Sequence, residues 1–119
     1  MVASPPTPDV SRILVLKPRW MHKILVTRTK KLEIRGTRLR SGTYYLGCGG
    51  KVWGVAYFGA AEPIRTLEEW NARRHEHRVK TEALPYKNTY GLPVLSVEPL
   101  RPPVRYSHPR GAVGIVIFR

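Results

Sequence analysis

The stretch "TKKLEIRG", residues 29–36, decides the fold because apolar and charged side chains alternate along it. In an extended chain, Leu32 and Ile34 fall on one face, while Glu33 and Arg35 fall on the other. This period of two predicts a β-strand whose apolar face packs against the core. The same stretch surrounds a single glutamate with cations, so the charged face of the strand is a candidate site.

The rest of the chain predicts six or seven short strands and two short helices. The strands lie at "RILVL", "KKLEIR", "GTYYLGCGG", "KVWGVAYFGAA", "VLSVEPL", "PVRY" and "GAVGIVIF", and a Gly-Gly turn joins the third strand to the fourth. "PRWMHKILV" has the i, i+3, i+4 spacing of an amphipathic helix. Thr66 and Glu69 form a capping box at the start of the second helix. Without a βαβ rhythm the sheet is expected to be mainly antiparallel, which predicts a β-dominated α+β fold built as a small open β-barrel.

Length and composition predict one domain. The chain has 119 residues, of which 42% are hydrophobic, enough for one compact core. Residues 12–119 are assigned to this domain, and the Pro-rich residues 1–11 to a flexible tail. Because neither an 18-residue apolar run nor a signal-peptide pattern occurs, we expect a soluble intracellular protein, cytoplasmic or nuclear, with no membrane partner. The single cysteine, Cys48, forms no internal disulfide, and neither a metal nor a cofactor is predicted.

The charge predicts a polyanionic partner. The formal net charge is +13, and ten of the 21 Lys and Arg residues lie within residues 12–40, beside one acid. Residues 62–82, in contrast, hold five residues of each sign. A concentrated basic surface can bind phosphates, so nucleic acid, and RNA in particular, is the expected partner.

The stretch that opened this section resembles the ASCH domain signature GxKxxExR, of the PUA-like superfamily. Lys30, Glu33 and Arg35 match its lysine, glutamate and arginine, while Arg28 stands in place of the glycine. Four further segments, in order, are similar to other blocks of the family: "LKPRWMHKIL", "HRV" (77–79), "YKNTY" and "PLRPPVRYSHPRGAVGIV". The resemblance implies a PUA-like open β-barrel with a cleft between the barrel and its first helix. Lys30, Glu33 and Arg35 are expected to meet in this cleft, where RNA or a modified or unpaired nucleotide binds.

The resemblance also suggests a set of nucleic-acid-binding residues. Arg35 can fork onto a phosphate or onto Glu33, Lys30 supplies a mobile charge, and Glu33 can accept a hydrogen bond from the exocyclic amine of a base. Trp20 can stack on that base, which is worth about 1–3 kcal/mol. The full predicted set is Lys17, Trp20, Lys30, Glu33, Arg35, His77, Arg78 and Tyr106.

Structural interpretations of the same residues stay open. Glu33 and Arg35 can form an ion pair that only orders the strand. Trp20 has the helical spacing of a core residue, and His77 has that of a hydrogen-bonded structural histidine. Trp53 and Trp70 are predicted to be core residues.

An enzyme is the alternative function. Some small ASCH relatives are amidohydrolases that remove an acyl group from cytidine, and others have been assigned nuclease activity. A similar enzyme would use Lys30 and Glu33 on an acylated cytidine or on RNA, with a free nucleoside as a further possible ligand. In the amidohydrolases the lysine assists a threonine nucleophile, and Glu33 occupies the position of that threonine here.

Overall fold

The computed structural model describes residues 12–107 and 114–117. Its seven strands are β1 (Arg12–Val15), β2 (Leu32–Arg35), β3 (Gly42–Cys48), β4 (Lys51–Phe58), β5 (Glu62–Ile64), β6 (Thr89–Arg105) and β7 (Ile115–Ile117). Its helices are α1 (Pro18–Met21), which continues as a π-helical segment (His22–Val26), α2 (Leu67–Ala72) and α3 (Arg74–His77). The predicted tail, residues 1–11, and the first residues of the predicted last strand lie outside the described residues.

The strands form one mixed sheet that curls into a half-barrel, which confirms the predicted strand-dominated α+β fold. The strand order is β2-β6-β4-β3-β1-β7, with β5 paired to β6. β1 runs parallel to β3, and the other pairs are antiparallel. The predicted Gly-Gly turn joins β3 to β4, with φ of 61° at Gly49 and 77° at Gly50, a conformation that favours glycine.

The main core fills the concave side of the sheet and is closed by the first helical segment. Met21, Ile24 and Leu25 from that segment pack against strand residues such as Leu46 and Phe58. Their spacing is that of an amphipathic helix, as predicted. Pro18 occupies the first turn of α1, where its missing N–H costs no hydrogen bond.

A second apolar cluster covers one face of β2. Leu32 and Ile34 pack there against Ile64 of β5 and Trp70 of α2. Thr66 caps α2 by accepting a hydrogen bond from the Glu69 N–H at 3.1 Å, as the capping box predicts. Because α2 and α3 cover this face of β2, its charged residues lie on the opposite face, toward β1 and α1.

Several elements differ from their predicted form. The second predicted helix divides at Arg73 into α2 and α3, and β6 is one strand of 17 residues where two strands were predicted. The prediction that Trp53 belongs to the core is wrong, since this residue is 38% exposed, whereas Trp70 is fully buried as predicted. Trp53 lies at a β-bulge on the outer face of the sheet, because the register of β4 shifts there against β6.

Candidate nucleic-acid interface

Lys30, Glu33 and Arg35 meet in a buried ionic cluster, as the signature implies. The Nε of Arg35 donates to Oε2 of Glu33 at 2.8 Å, and a second guanidinium nitrogen donates to the Val15 carbonyl oxygen at 2.8 Å. The Nζ of Lys30 lies 3.8 Å from Oε1 of Glu33. Lys30 and Glu33 are only 1% and 3% exposed. The predicted ion pair of Glu33 with Arg35 is therefore present, and it ties β2 to the end of β1.

Lys30 also connects two helical segments. Its ammonium group donates a hydrogen bond to the carbonyl oxygen of His77, at the end of α3, and lies 4.4 Å from the centroid of the Trp20 ring in α1. The backbone repeats this connection, since the Lys30 N–H donates to the Lys23 carbonyl at 3.1 Å and the Lys31 N–H donates to the Glu76 carbonyl at 2.8 Å. The segment at Lys30 therefore joins the first helical segment to α3 through both side-chain and backbone contacts.

The environment of Lys30 changes its acidity. Burial lowers the pKa of Lys30 from 10.5 to about 8, and the charge of Glu33 opposes this shift without cancelling it. Because the pKa stays above 7, the ammonium form predominates at neutral pH. The positive charge thus remains available for the contacts with Glu33 and the Trp20 ring.

His77 is the hydrogen-bonded structural histidine that one interpretation predicted. Its ring is fully buried and stacks on Trp70 with 3.7 Å between centroids. The Val79 N–H donates to Nδ1 at 2.9 Å, so Nε2 carries the proton and donates to the Trp70 carbonyl oxygen at 2.9 Å. Burial lowers the pKa of His77, which keeps the ring neutral. Its contribution to the site is its carbonyl group, which accepts from Lys30.

A basic cleft opens between α1 and the segment that follows α3. Its volume is about 920 Å³, which is the size of a small-molecule pocket. Five fixed cations, one histidine and one tryptophan contribute to it, and none of its nine lining residues, all within the described part of the chain, carries a carboxylate. The lining residues are Arg19, Trp20, Lys23, Arg74, His75, Arg78, Val79, Lys80 and Thr81.

The wall that follows α3 is held in place by Arg74. Its guanidinium donates to the carbonyl oxygen of Thr81 at 3.0 Å, to that of Val79, and to Oδ1 of Asn71 at 2.6 Å. Arg78 reverses the chain at the end of α3 in the left-handed conformation, with φ of 64°. On the opposite wall, the guanidinium of Arg19 lies 4.7 Å from the centroid of the Trp20 ring.

The structure divides the predicted site residues into three groups. Trp20, which is half-buried, and Arg78, which is exposed, line the cleft. Lys30, Glu33, Arg35 and His77 lie together in the buried framework and are not among the lining residues. Lys17, exposed at the start of α1, does not line the cleft, and Tyr106 packs against Ile13 and Val52 in a separate cluster.

Sequence reasoning missed four of the five lining cations, Arg19, Lys23, Arg74 and Lys80, and also His75. A signal for two pairs was present, because Arg19 and Lys23, like Arg74 and Arg78, are four residues apart and so share a helix face. The approach of the two helical segments to each other is a tertiary feature without a local sequence pattern. Across residues 12–107 and 114–117, no group of three metal-ligating side chains is found. No helix in these residues is long and apolar enough to cross a membrane.

The architecture is that of the ASCH domain. The crystal structure of ASCH from Zymomonas mobilis superimposes with a TM-score of 0.70 at 16% sequence identity, covering 91% of this chain and 87% of that chain. A serine-to-alanine mutant of the same protein gives a TM-score of 0.70 and 16% identity, covering 95% of this chain and 92% of that chain. The fold implied by the sequence resemblance is thereby confirmed.

At the level of sequence, no protein-family model matches this chain, and no curated protein sequence matches it either.

Proposed function

We propose that this protein is an RNA-binding module that holds a single-stranded or unpaired nucleotide in the basic cleft. The observation that carries the proposal is the lining of the cleft, where cations of both walls surround one tryptophan without a carboxylate among them. Phosphates require cations, and an unpaired base requires an aromatic or guanidinium surface for stacking. Trp20 and Arg19 supply such a surface.

In this proposal the signature residues support the cleft instead of reading the base. Lys30 joins the Trp20 wall to the His77 wall, and Glu33 compensates the charges of Lys30 and Arg35. The carboxylate of Glu33 already accepts from Arg35, so a base would have to displace an ion pair in order to use it. Cleft cations on exposed positions, such as Arg19 and Arg78, would contact phosphate.

A salt titration tests the proposal. Each phosphate contact made to a single strand lowers log K by about 0.7 per tenfold rise in salt. Arg74 already holds the wall through three hydrogen bonds, so contacts from the other four fixed cations predict a slope of about −2.8. We expect a steep negative slope for a short single-stranded RNA, measured by fluorescence anisotropy between 50 and 500 mM salt, a range of roughly one decade. A duplex of the same length serves as the comparison and is expected to bind more weakly. A slope near zero would contradict the proposal.

A small hydrolase is the second candidate, and the lowered pKa of Lys30 is the observation that favours it. A lysine with a pKa of about 8 can act as a base near neutral pH. Under the binding proposal, we expect neither release of acetate from N4-acetylcytidine nor cleavage of short RNAs. If either product forms, and if Lys30→Met abolishes its formation without unfolding the protein, the hydrolase is the better assignment.

A further inference from the structure

The outer side of the sheet exposes two large aromatic side chains that do not line the cleft. Trp53 and Tyr57 of β4 are 38% and 44% exposed. Gly54, Ala56 and Phe58 face the main core, since the latter two belong to it and a Cβ on Gly54 would meet Leu25. By strand alternation, Val55 and Tyr57 therefore lie on the outer face, where Val55 is buried, and Trp53 stands exposed at the bulge next to them.

These two rings occupy defined positions along the strand. They are four residues apart, which corresponds to about 13 Å in a β-strand. The indole N–H of Trp53 donates to the Cys48 carbonyl oxygen at 2.8 Å, so its ring is held over the β3–β4 turn. Tyr45 of β3 is paired with Val55 and lies diagonally between the two rings. The outer face therefore carries an aromatic row, which we call the aromatic stripe, with Trp53 and Tyr57 as its exposed ends.

Cations flank the Trp53 end of the aromatic stripe. The ammonium of Lys51 lies 5.9 Å from the centroid of the Trp53 ring, and Lys51 is paired with the exposed Arg105 of β6. In the pairing of β4 with β6, Gly54 is opposite Pro99 and Val52 is opposite Val104, so β6 has extra residues at this point. Residues 100–103, with the exposed Arg101, therefore lie opposite Trp53.

The charge on this face favours a polyanion as its occupant. Three cations, Lys51, Arg101 and Arg105, lie on the segments of β4 and β6 that adjoin Trp53, against one acid, Glu98, which is paired with Val55. Exposed aromatic rings combined with cations along a strand are the arrangement by which proteins bind single-stranded nucleic acid, because every base has a face that can stack. A purely apolar protein partner would leave these cations desolvated and uncompensated.

We propose that the aromatic stripe is a second binding surface, on which bases of single-stranded RNA stack on Trp53 and Tyr57 while Lys51, Arg101 and Arg105 contact the backbone. Because the two residues are separated by about 13 Å along the strand, their rings receive bases that are not adjacent in the RNA. The surface is independent of the cleft and would bind a strand even if the cleft had another ligand.

The test compares variants in binding a fluorescein-labelled 15-nucleotide oligouridine. The double variant Trp53→Ala/Tyr57→Ala is expected to bind at least about 25-fold more weakly, because each stacked base contributes about fivefold or more. Tyr86→Ala is the matched control, since Tyr86 is 47% exposed and lies outside the stripe. Its affinity is expected to stay within about twofold of wild type, as is usual for sites without a contact. The pair Trp53→Phe/Tyr57→Phe keeps both rings and is expected to retain most of the affinity.

Two further measurements make each outcome decisive. The stripe substitutions, repeated on an Arg19→Gln/Arg78→Gln background, are expected to cause the same fold loss, because a strand that contacts both surfaces loses two separate contributions and these add for distant sites. This separates failure of the stripe from failure of the cleft.

Oligo-5-bromouridine is expected to photocross-link to the β4 peptide of the wild-type protein. The proposal would be overturned by an unchanged affinity of the alanine variant or by an equal loss in Tyr86→Ala. It would also be overturned if every cross-link lay outside β4. A concentration-dependent dimer that Trp53→Ala abolishes would overturn it as well, since such a dimer would assign this face to a second copy of the chain.

Discussion

Glu33→Gln is expected to lower the free energy of unfolding by about 3–5 kcal/mol, the usual cost of breaking a buried ion pair by removing one partner. Glutamine is nearly isosteric, so packing is retained while the negative charge is lost. Lys30, which is 1% exposed, and Arg35, whose side chain is 16% exposed, then share a buried site without a compensating anion. Urea denaturation followed by circular dichroism measures the loss.

The pH dependence of stability gives this prediction a second readout. Because burial lowers the pKa of Lys30, the unfolded chain binds more protons than the folded chain between about 8 and 10.5, and stability rises with pH across that window. The negative charge of Glu33 raises the pKa of Lys30, so its removal lowers that pKa. In the variant, the pH range over which stability rises therefore begins below pH 8. A change confined to packing would leave the window unmoved.

Glu76→Gln is the matched control for Glu33→Gln. Glu76 makes the same kind of contact, accepting from the Nε of Arg73 at 2.8 Å, but the two side chains are 31% and 27% exposed. Exposed ion pairs contribute about 0–1 kcal/mol, so we expect a loss in that range. Equal losses in the two variants would show that Glu33 is not part of a buried framework. A stable Glu33→Gln protein with an altered base preference would instead support the role of Glu33 in reading a base.

The fold was predictable wherever a local pattern determines an element. The alternation in β2 and the i, i+3, i+4 spacing of the first helical segment are such patterns, and both are confirmed. The extent of β6 was not predictable, because Pro99, Pro102 and Pro103 read as interruptions of a strand. In the structure β6 continues, because it pairs with β4 on both sides of a register shift at Trp53. The exposure of Trp53 has the same origin, since it depends on a bulge defined by two partner strands.

The candidate site was predictable in part for the same reason. Lys30, Glu33 and Arg35 lie within six residues, so the signature alone brings them together. Their burial depends on α2 and α3 covering one face of β2 while α1 and the end of β1 cover the other, and no spacing within the signature encodes this. The cleft depends on the approach of α1 to the segment after α3, which are more than 50 residues apart in the sequence.

Removal of two cleft cations, one from each wall, is expected to weaken RNA binding strongly. Arg19→Gln/Arg78→Gln keeps long polar side chains and removes two charges from exposed positions. If each arginine contacts one phosphate of a single strand, the slope of log K against log salt falls in magnitude by about 1.4. At 0.1 M salt this corresponds to an affinity about 25-fold weaker. Because neither side chain is buried, the thermal unfolding midpoint is expected to stay close to that of wild type.

The control for this experiment removes the same charge elsewhere. Arg65→Gln/Lys87→Gln also lowers the net charge by two, at exposed positions that do not line the cleft. Long-range attraction depends on net charge and is screened within about 10 Å at 0.1 M salt, so this pair is expected to change the slope by much less than the cleft pair. If both pairs reduce the slope equally, phosphate is bound by the diffuse positive charge of the protein, and the cleft has no special part in it.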